Sequence, residues 1–356
     1  MVKKTVAVAL SGGIDSAVAA WLLKKNNFNV VAFTGSFSKI DNYLGIDRYF
    51  SDKGMNQARK IARILKIKHY VVDFSNDFKK RVIDKFIQEY LCGRTPNPCV
   101  LCNRYIKFSS IFKAALDSGA DYYATGHYAG VCFNKKNKSY FIKKAKDREK
   151  DQSYFLYGVR KEVLPYLLLP LSDITRKDVV RLAKKLHLSV DSKKGSQEIC
   201  FLSSMDYREF LSQFKVKTGD IIDLKGKIIG KHKGVPFYTV GQREGLGISS
   251  KEPLYVFKIN KKNNRITVAR KKDVFFKGLV AKDVNLFIEK SFSQSLAVDI
   301  KIRYNHIPIR GKLSFLENNR VKIVFSKRQF GVSPGQAAVF YKKDYLLGGG
   351  TIVEAF

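Results

Sequence analysis

The sequence predicts an α/β protein: a doubly wound parallel sheet at the N-terminus, then a small β-rich domain, then a C-terminal antiparallel β-barrel. Three observations carry this reading. Short β-branched runs alternate with helix-forming runs from the first residues onward, the pattern of a parallel sheet with helices on both faces. The first of these strands ends in Ser11-Gly12-Gly13, a turn that opens directly into an apolar helix. From about residue 219 the pattern changes to short runs of period two punctuated by glycine, as expected for barrels and small antiparallel sheets.

Val6-Ala7-Val8-Ala9-Leu10 is a buried-strand run, and Ala17-Val18-Ala19-Ala20-Trp21-Leu22-Leu23 forms the following helix. Between them, Gly12 and Gly13 let the backbone turn sharply. Successive N–H groups then point at an anion where the helix N-terminus adds its partial positive charge. Ser11 and Ser16 add hydroxyls, and Asp15 could hold a metal ion or shape the loop. Neither GxxxxGK[ST] nor GxGxxG is present. Phe28–Gly35 is a second parallel strand, residues 55–66 a helix, and His69–Phe74 a third strand.

The alternation breaks at Gly93-Arg94-Thr95-Pro96-Asn97-Pro98-Cys99-Val100-Leu101-Cys102. Two prolines stiffen an extended segment, and a helix is expected to start near Cys99. Cysteines at a helix start beside Arg94, Arg104 and Lys107 are expected to have lowered pKa values. Asp121–Tyr128 is a strand ending at Gly126-His127. Lys150-Asp151-Gln152-Ser153 precedes a short helix, with Ser153 as its cap on the plainer reading. Residues 172–190 form a capped, basic amphipathic helix, and Cys200 follows Lys193 and Lys194 in a polar loop.

At 356 residues, two or three domains are expected. We read them as 1–205, 206–275 and 276–356. With 45% hydrophobic and 13% aromatic residues, real cores are available. No apolar run approaches ~20 residues, so no membrane span is expected. The N-terminus goes straight into a strand, which leaves no signal peptide and places the protein in the cytoplasm. The net charge of +35, from 66 Lys and Arg against 31 Asp and Glu, favours a polyanionic partner. An AT-rich genome would account for part of that lysine. Five cysteines argue for thiol chemistry or metal binding over a disulfide framework.

The SGGIDS stretch resembles the PP-loop of the ATP pyrophosphatases, which adenylate an oxygen and release pyrophosphate. Within that superfamily, the chain resembles the tRNA-specific 2-thiouridylases (the MnmA/TrmU family) along essentially its whole length. The matching stretches are Gly93–Phe108, Ala124–Ala129, Lys150–Leu156, Ser196–Phe201 and Thr239–Gly247. The resemblance implies ATP-dependent 2-thiolation of the wobble uridine of tRNAs for Lys, Glu and Gln. ATP, with Mg, would lie on Ala9, Leu10, Ser11, Gly12, Gly13, Ile14, Asp15 and Ser16, with Gly35 and Gly126 beside the adenine nucleotide. Cys200 would carry a persulfide and Cys102 act as the nucleophile, closing a Cys102–Cys200 disulfide.

The same resemblance assigns tRNA contacts to Asn97, Pro98, His127, Lys150, Asp151, Gln152, Arg303, Tyr304 and Gln336. The partners implied are the tRNA anticodon stem-loop and a persulfide donor, either a desulfurase or a relay protein, and the protein is read as a monomer. Two departures matter. Many members carry Asp where this chain has Cys99, so Cys99 is an auxiliary thiol or, with Cys102 and Cys200, a ligand of an iron–sulfur cluster; the persulfide reading is preferred. The family often has Met where this chain has Gly35. Cys92 and Cys132 match no motif and read as packing residues. The alternatives are another PP-loop adenylating ligase, and a redox- or metal-responsive RNA-binding protein.

Overall fold

The structure is a computed structural model that describes residues 3–37, 39–40, 52–136, 138–188, 199–202, 205–289 and 295–356. The expected Gly195-Ser196-Gln197-Glu198 portion of the second cysteine motif lies outside the described residues. The chain forms two compact units. One comprises residues 1–82, 99–203 and 344–346; the other comprises 83–98, 204–343 and 347–356.

The first unit is built on a five-stranded sheet in the order β3-β2-β1-β4-β7. Its strands are β1 (Thr5–Ala9), β2 (Asn29–Ser36), β3 (Lys68–Asp73), β4 (Tyr122–Ala124) and β7 (Leu167–Leu168). All pairings are parallel, with Val6 opposite both Val30 and Tyr122. Val6, Ala7 and Val8 have no exposed surface, which is why this central strand is continuously apolar instead of alternating. Helix α1 (Ile14–Lys25) covers the sheet through Ala17, Val18, Ala19 and Ala20, all fully buried. Helix α2 spans Asp52–Ile64, a few residues earlier than the sequence pattern placed it.

The strand order reverses about β1, so the crevice beyond its C-terminal end is the topological switch point where open α/β sheets bind ligands. One element went unread in the sequence: an antiparallel hairpin of β5 (Ala129–Asn134) and β6 (Ser139–Lys144). Phe133 and Tyr140 stack against each other on its outer face, their ring centroids 4.8 Å apart, with Phe133 49% exposed. Aromatics on the solvent side hide the hairpin's alternation. Tyr345 and Leu346 pair with Lys143 and Ile142 of β6.

The second unit contains a four-stranded sheet and a closed barrel. The sheet runs β10-β11-β8-β9, from β8 (Gly219–Ile222), β9 (Ile228–His232), β10 (Leu254–Asn260) and β11 (Arg265–Arg270). The barrel strands are β12 (Phe275–Leu286), β13 (Leu296–Lys301), β14 (Ile309–Leu316), β15 (Arg320–Phe330), β16 (Ala337–Lys342) and β17 (Tyr345–Ala355). They close in the order β12-β15-β14-β13-β16-β17, with β17 returning to β12, so no edge is left open. Its core includes Leu279, Ile300, Ile323, Phe340 and Ile352, all fully buried.

Helix α3 (Asp84–Leu91) leads into the stiff Gly93–Pro98 segment, which is seated on the turn before β16. Thr95 N donates to Pro334 O at 2.9 Å, and Gln336 Nε2 donates to Thr95 O at 3.1 Å. Gly335 there has φ +92°, and a Cβ would fall 2.8 Å from Thr95 N, so this contact requires glycine.

Candidate active site: a phosphate loop and three thiols

The loop after β1 is held by its own serines. Ser11 N donates to Ser16 Oγ at 3.2 Å, and Ser16 Oγ donates to Gly13 O at 3.0 Å. Gly12 takes φ +82°, with a would-be Cβ 2.4 Å from Gly54 O of α2, so no side chain fits. Gly13 caps α1 without any side-chain hydrogen bond, so the first N–H groups of the helix face the crevice uncapped. An anion is the natural partner of that arrangement.

Asp15 is committed to shaping this loop. Its Oδ1 accepts from Tyr128 Oη at 2.7 Å and from Arg176, the first residue of helix α5 (Arg176–Lys185). Burial, then the Asp15 carboxylate, pushes the Tyr128 hydroxyl above its ordinary value, so it stays a donor. Thr175 and Asp178 form a reciprocal capping box that fixes where Arg176 emerges. Gly126, just past β4, packs so tightly that a Cβ would lie 2.6 Å from Ser16 N. Gly126 and the SGGIDS loop therefore meet at the switch point. Gly35 ends β2 one strand away, against Phe37 and Phe74.

Cys99, Cys102 and Cys200 also belong to the first unit. Cys102 ends the five-residue helix α4 (Pro98–Cys102), from which a π-helical stretch, Asn103–Ile111, continues. The structure brings the three thiols within electrostatic reach of one another: Cys99 raises Cys102, and both raise Cys200. The expectation of lowered pKa values is overturned. Burial pushes Cys102 up to about 11; burial, then its two thiol neighbours, pushes Cys200 up to about 12; burial raises Cys99. Solvent reaches Cys99 and Cys200, while Cys102 is half-buried.

The reason lies in the local helix. Cys102 lies inside a continuous helical run, α4 passing directly into Asn103–Ile111, so it is not at a helix start, and burial is the first cause of its raised pKa. Arg104 turns its guanidinium over Tyr105, 5.3 Å from the ring. Lys107 alone opposes the rise at all three cysteines. An α-helix puts a residue five positions on well round the cylinder, whereas the i→i+5 bonding of a π-helix brings it back over the start. Lys107 is thus near enough for its charge to lower the pKa of Cys102, the direction the sequence led one to expect of it.

Other expected contacts are placed less openly. His127 is 8% exposed, its Nδ1 is 2.7 Å from Thr125 Oγ1, and burial keeps its pKa well below the ordinary value. It is a neutral, buried side chain in this structure, with its ring held against Thr125. Asp151 is buried, its Oδ1 accepting from Ala145 N at 3.0 Å and its Oδ2 from Ser153 Oγ at 2.7 Å. Ser153 is therefore an internal donor and not the cap of a surface helix. Gln152 Oε1 accepts from Tyr128 N at 3.0 Å, and Lys150 N donates to Asp147 O at 3.3 Å.

In the second unit, Asn97 is half-buried and Pro98 buried. Arg303 donates to Val240 O, Gly331 O and Ser333 Oγ, and Lys301 lies 5.4 Å from the centroid of the Tyr304 ring. Cys92, read as packing, accepts from Lys261 Nζ at 3.3 Å. Cys132 does pack, its thiol directed at Phe141 O at 3.6 Å. Two residues escaped the sequence reading of the site: Tyr128 and Arg176. They act across 113 and 161 residues of chain, which no local pattern reveals. Among the described residues, no group of three or more His, Cys, Asp or Glu is disposed to hold a metal ion, and no helix is long and apolar enough to cross a membrane.

Comparison with known proteins agrees with this geometry. The family model described as the tRNA methyl transferase HUP domain matches residues 4–204. The tRNA methyl transferase PRC-barrel domain matches 208–270, and the aminomethyltransferase beta-barrel domain matches 276–352. The chain is 42% identical to the tRNA-specific 2-thiouridylase MnmA of Clostridium kluyveri, over 98% of this chain and 99% of that protein. It is also 42% identical to the proteins of that name from Carboxydothermus hydrogenoformans, over 98% of each chain, and Pelotomaculum thermopropionicum, over 99% and 98%. With its phosphate loop, its three gathered thiols and this full-length similarity, the chain belongs to the tRNA-specific 2-thiouridylase family.

Proposed function

We propose that this protein is an ATP-dependent tRNA sulfurtransferase that replaces the C2 oxygen of the wobble uridine with sulfur. The observation that carries the proposal is that an uncapped phosphate loop and three mutually interacting thiols are built into one unit. A uridine C2 oxygen is a poor leaving group and needs activation. ATP would lie on Ala9–Ser16, with Gly35 and Gly126 against the nucleotide. The C2 oxygen attacks the α-phosphorus, pyrophosphate leaves, and the loop N–H groups stabilise the charge that develops. Magnesium would arrive with ATP to neutralise phosphate charge, and Asp15 Oδ2 is the carboxylate oxygen left for it, since Oδ1 serves Tyr128 and Arg176.

Sulfur arrives as a persulfide on Cys200. The Cys102 thiolate attacks the inner sulfur and hydrosulfide leaves, giving a Cys102–Cys200 disulfide. Hydrosulfide adds to the activated C2, and AMP departs. Two electrons from a dithiol reset the disulfide. With Cys102 protonated at rest, Lys107 is the group that favours its reactive thiolate. Asn97, Pro98, Lys150, Gln152, Arg303, Tyr304 and Gln336 are assigned to the anticodon stem-loop, whose target base must leave its stack to react. We place the protein in the cytoplasm as a monomer served by a persulfide donor.

The test is to supply unmodified tRNA, MgATP and a persulfide source to iron-assayed enzyme and to its Cys99→Ala, Cys102→Ala and Cys200→Ala variants. Thiouridine formed by iron-free enzyme, and lost only with Cys102 or Cys200, supports the persulfide route. Activity that tracks iron and all three cysteines replaces it with a cluster route. No thiouridine under either condition rejects the function.

A further inference from the structure

Gly241–Leu254 of the second unit carries the Gln-Arg-Glu-Gly-Leu-Gly motif, which the chemistry above leaves without a task. The segment encloses an open cavity of about 490 Å³ lined by Arg243, Gly245–Ile248 and Ser250–Leu254. That size falls in the range of ligand clefts. Its scaffold is fixed. Leu246 is 7% exposed and belongs to the core, and Ile248 packs on Gly230 of β9. Gly245 and Gly247 both take positive φ, +74° and +64°, which turns the backbone tightly around the buried Leu246.

The polar groups left on this scaffold are of one kind. Glu252, the acid of the lining, is paired with Arg270 at 3.1 Å. Arg243 and Lys251 are exposed at the cavity and make no ion pair or hydrogen bond through their side chains among the described residues. The N–H groups of Gly245–Lys251 likewise donate to no other group there. Two unpaired cations and a run of open N–H groups surround a floor of Leu246, Ile248, Pro253 and Leu254. Phosphate answers the cations and N–H groups, and a sugar or base face answers the apolar floor.

We propose that this cavity seats one nucleotide of an RNA chain, its phosphodiester held between Arg243 and Lys251. The inference rests on the reading of the protein as a tRNA enzyme and adds a grip made by the second unit. The net charge of +35 supplies long-range attraction, and the cavity supplies a place where one phosphate is fixed.

The experiment measures binding of the full-length protein to tRNA between 50 and 300 mM salt (a range of roughly one Debye-length halving). Wild type is compared with Arg243→Ala/Lys251→Ala, with the charge-keeping Arg243→Lys/Lys251→Arg, and with Lys225→Ala/Lys227→Ala on the exposed β8–β9 turn. The first double variant is expected to weaken binding about 5- to 50-fold and to flatten the salt slope by about 0.7–0.9, as one lost phosphate contact requires. The charge-keeping variant should bind nearly as wild type. Equal weakening by the Lys225/Lys227 variant, or an unaltered slope in the Arg243/Lys251 variant, overturns the proposal while leaving the tRNA reading intact. Failure of wild type to bind tRNA overturns that reading and the proposal with it. Binding of free inorganic phosphate to the cavity at tRNA-like affinity overturns the RNA assignment.

Discussion

The two ends of the candidate active site are prepared in opposite ways. The phosphate loop is finished before any ligand arrives. Its serines bond one another, Asp15 is neutralised by Arg176 and Tyr128, and the helix N–H groups are left for the phosphates. The thiols are gathered, and Cys102 is held in its unreactive form, pushed up to about 11 by burial. A site that must bind ATP benefits from standing ready. A site that must handle labile sulfur benefits from staying quiet until the substrate is in place, because a standing thiolate would be oxidised or trapped.

This contrast can be broken by experiment, starting where the effect is largest. Alanine at Cys102 or Cys200 should lower thiouridine formation by at least about 10³-fold, as loss of a covalent participant does. Pyrophosphate release from ATP and tRNA should persist in both variants. If release falls equally, the two ends are not separable.

Alkylation of Cys102 comes next. Its pKa is raised, so the neutral thiol dominates at neutral pH and the thiolate fraction grows about tenfold per pH unit below the pKa. Between pH 7 and 9 the iodoacetamide rate, followed by peptide mass, should rise about 100-fold without levelling. A plateau near pH 7 would show a standing thiolate and end the distinction.

Gly126→Ala attacks the prepared end. Its Cβ would lie 2.6 Å from Ser16 N and 2.7 Å from the Asp15 carbonyl carbon, both backbone atoms. Overpacking of this kind costs about 1–3 kcal/mol, and the KM for ATP should rise more than about tenfold. Arg176→Ala should be gentler. Losing one charge-assisted hydrogen bond, worth about 1.5 kcal/mol, corresponds to about a tenfold rise in KM for ATP. Arg176→Lys should recover part of it, whereas a purely structural role would show only in thermal unfolding. Thr175→Ala, which removes the capping box of α5, is the smallest change. It should cost about 1 kcal/mol of stability by calorimetry and leave KM within about twofold.

Legibility in the sequence followed the range of the interactions. The parallel sheet was readable because Val6–Leu10 is buried on both faces, and the phosphate loop because its glycines and serines act within six residues. The barrel was readable from the alternation of β13 and β15. What stayed hidden acts at a distance. Arg176 and Tyr128 reach Asp15 from far along the chain. Cys102 was misjudged for a related reason. The residue types around it suggested positive charge, but Arg104 spends its guanidinium on Tyr105, and burial outweighs Lys107.

The short stretch 344–346 has a consequence for how the protein is made. Asp344 accepts from Lys144 N at 2.9 Å and binds Arg148 at 2.7 Å, while Tyr345 and Leu346 extend β6. Yet these residues are synthesised only after most of the second unit has left the ribosome. The catalytic half thus waits for a late segment, while residues 83–98, made early, wait for the downstream half they join. Neither half is a severable piece of gene. A nascent chain halted at residue 205 would carry every cysteine assigned to the chemistry, lack the residues that finish the hairpin, and leave an early helix without its partner. Proteolysis and chaperone capture during synthesis should concentrate on such intermediates.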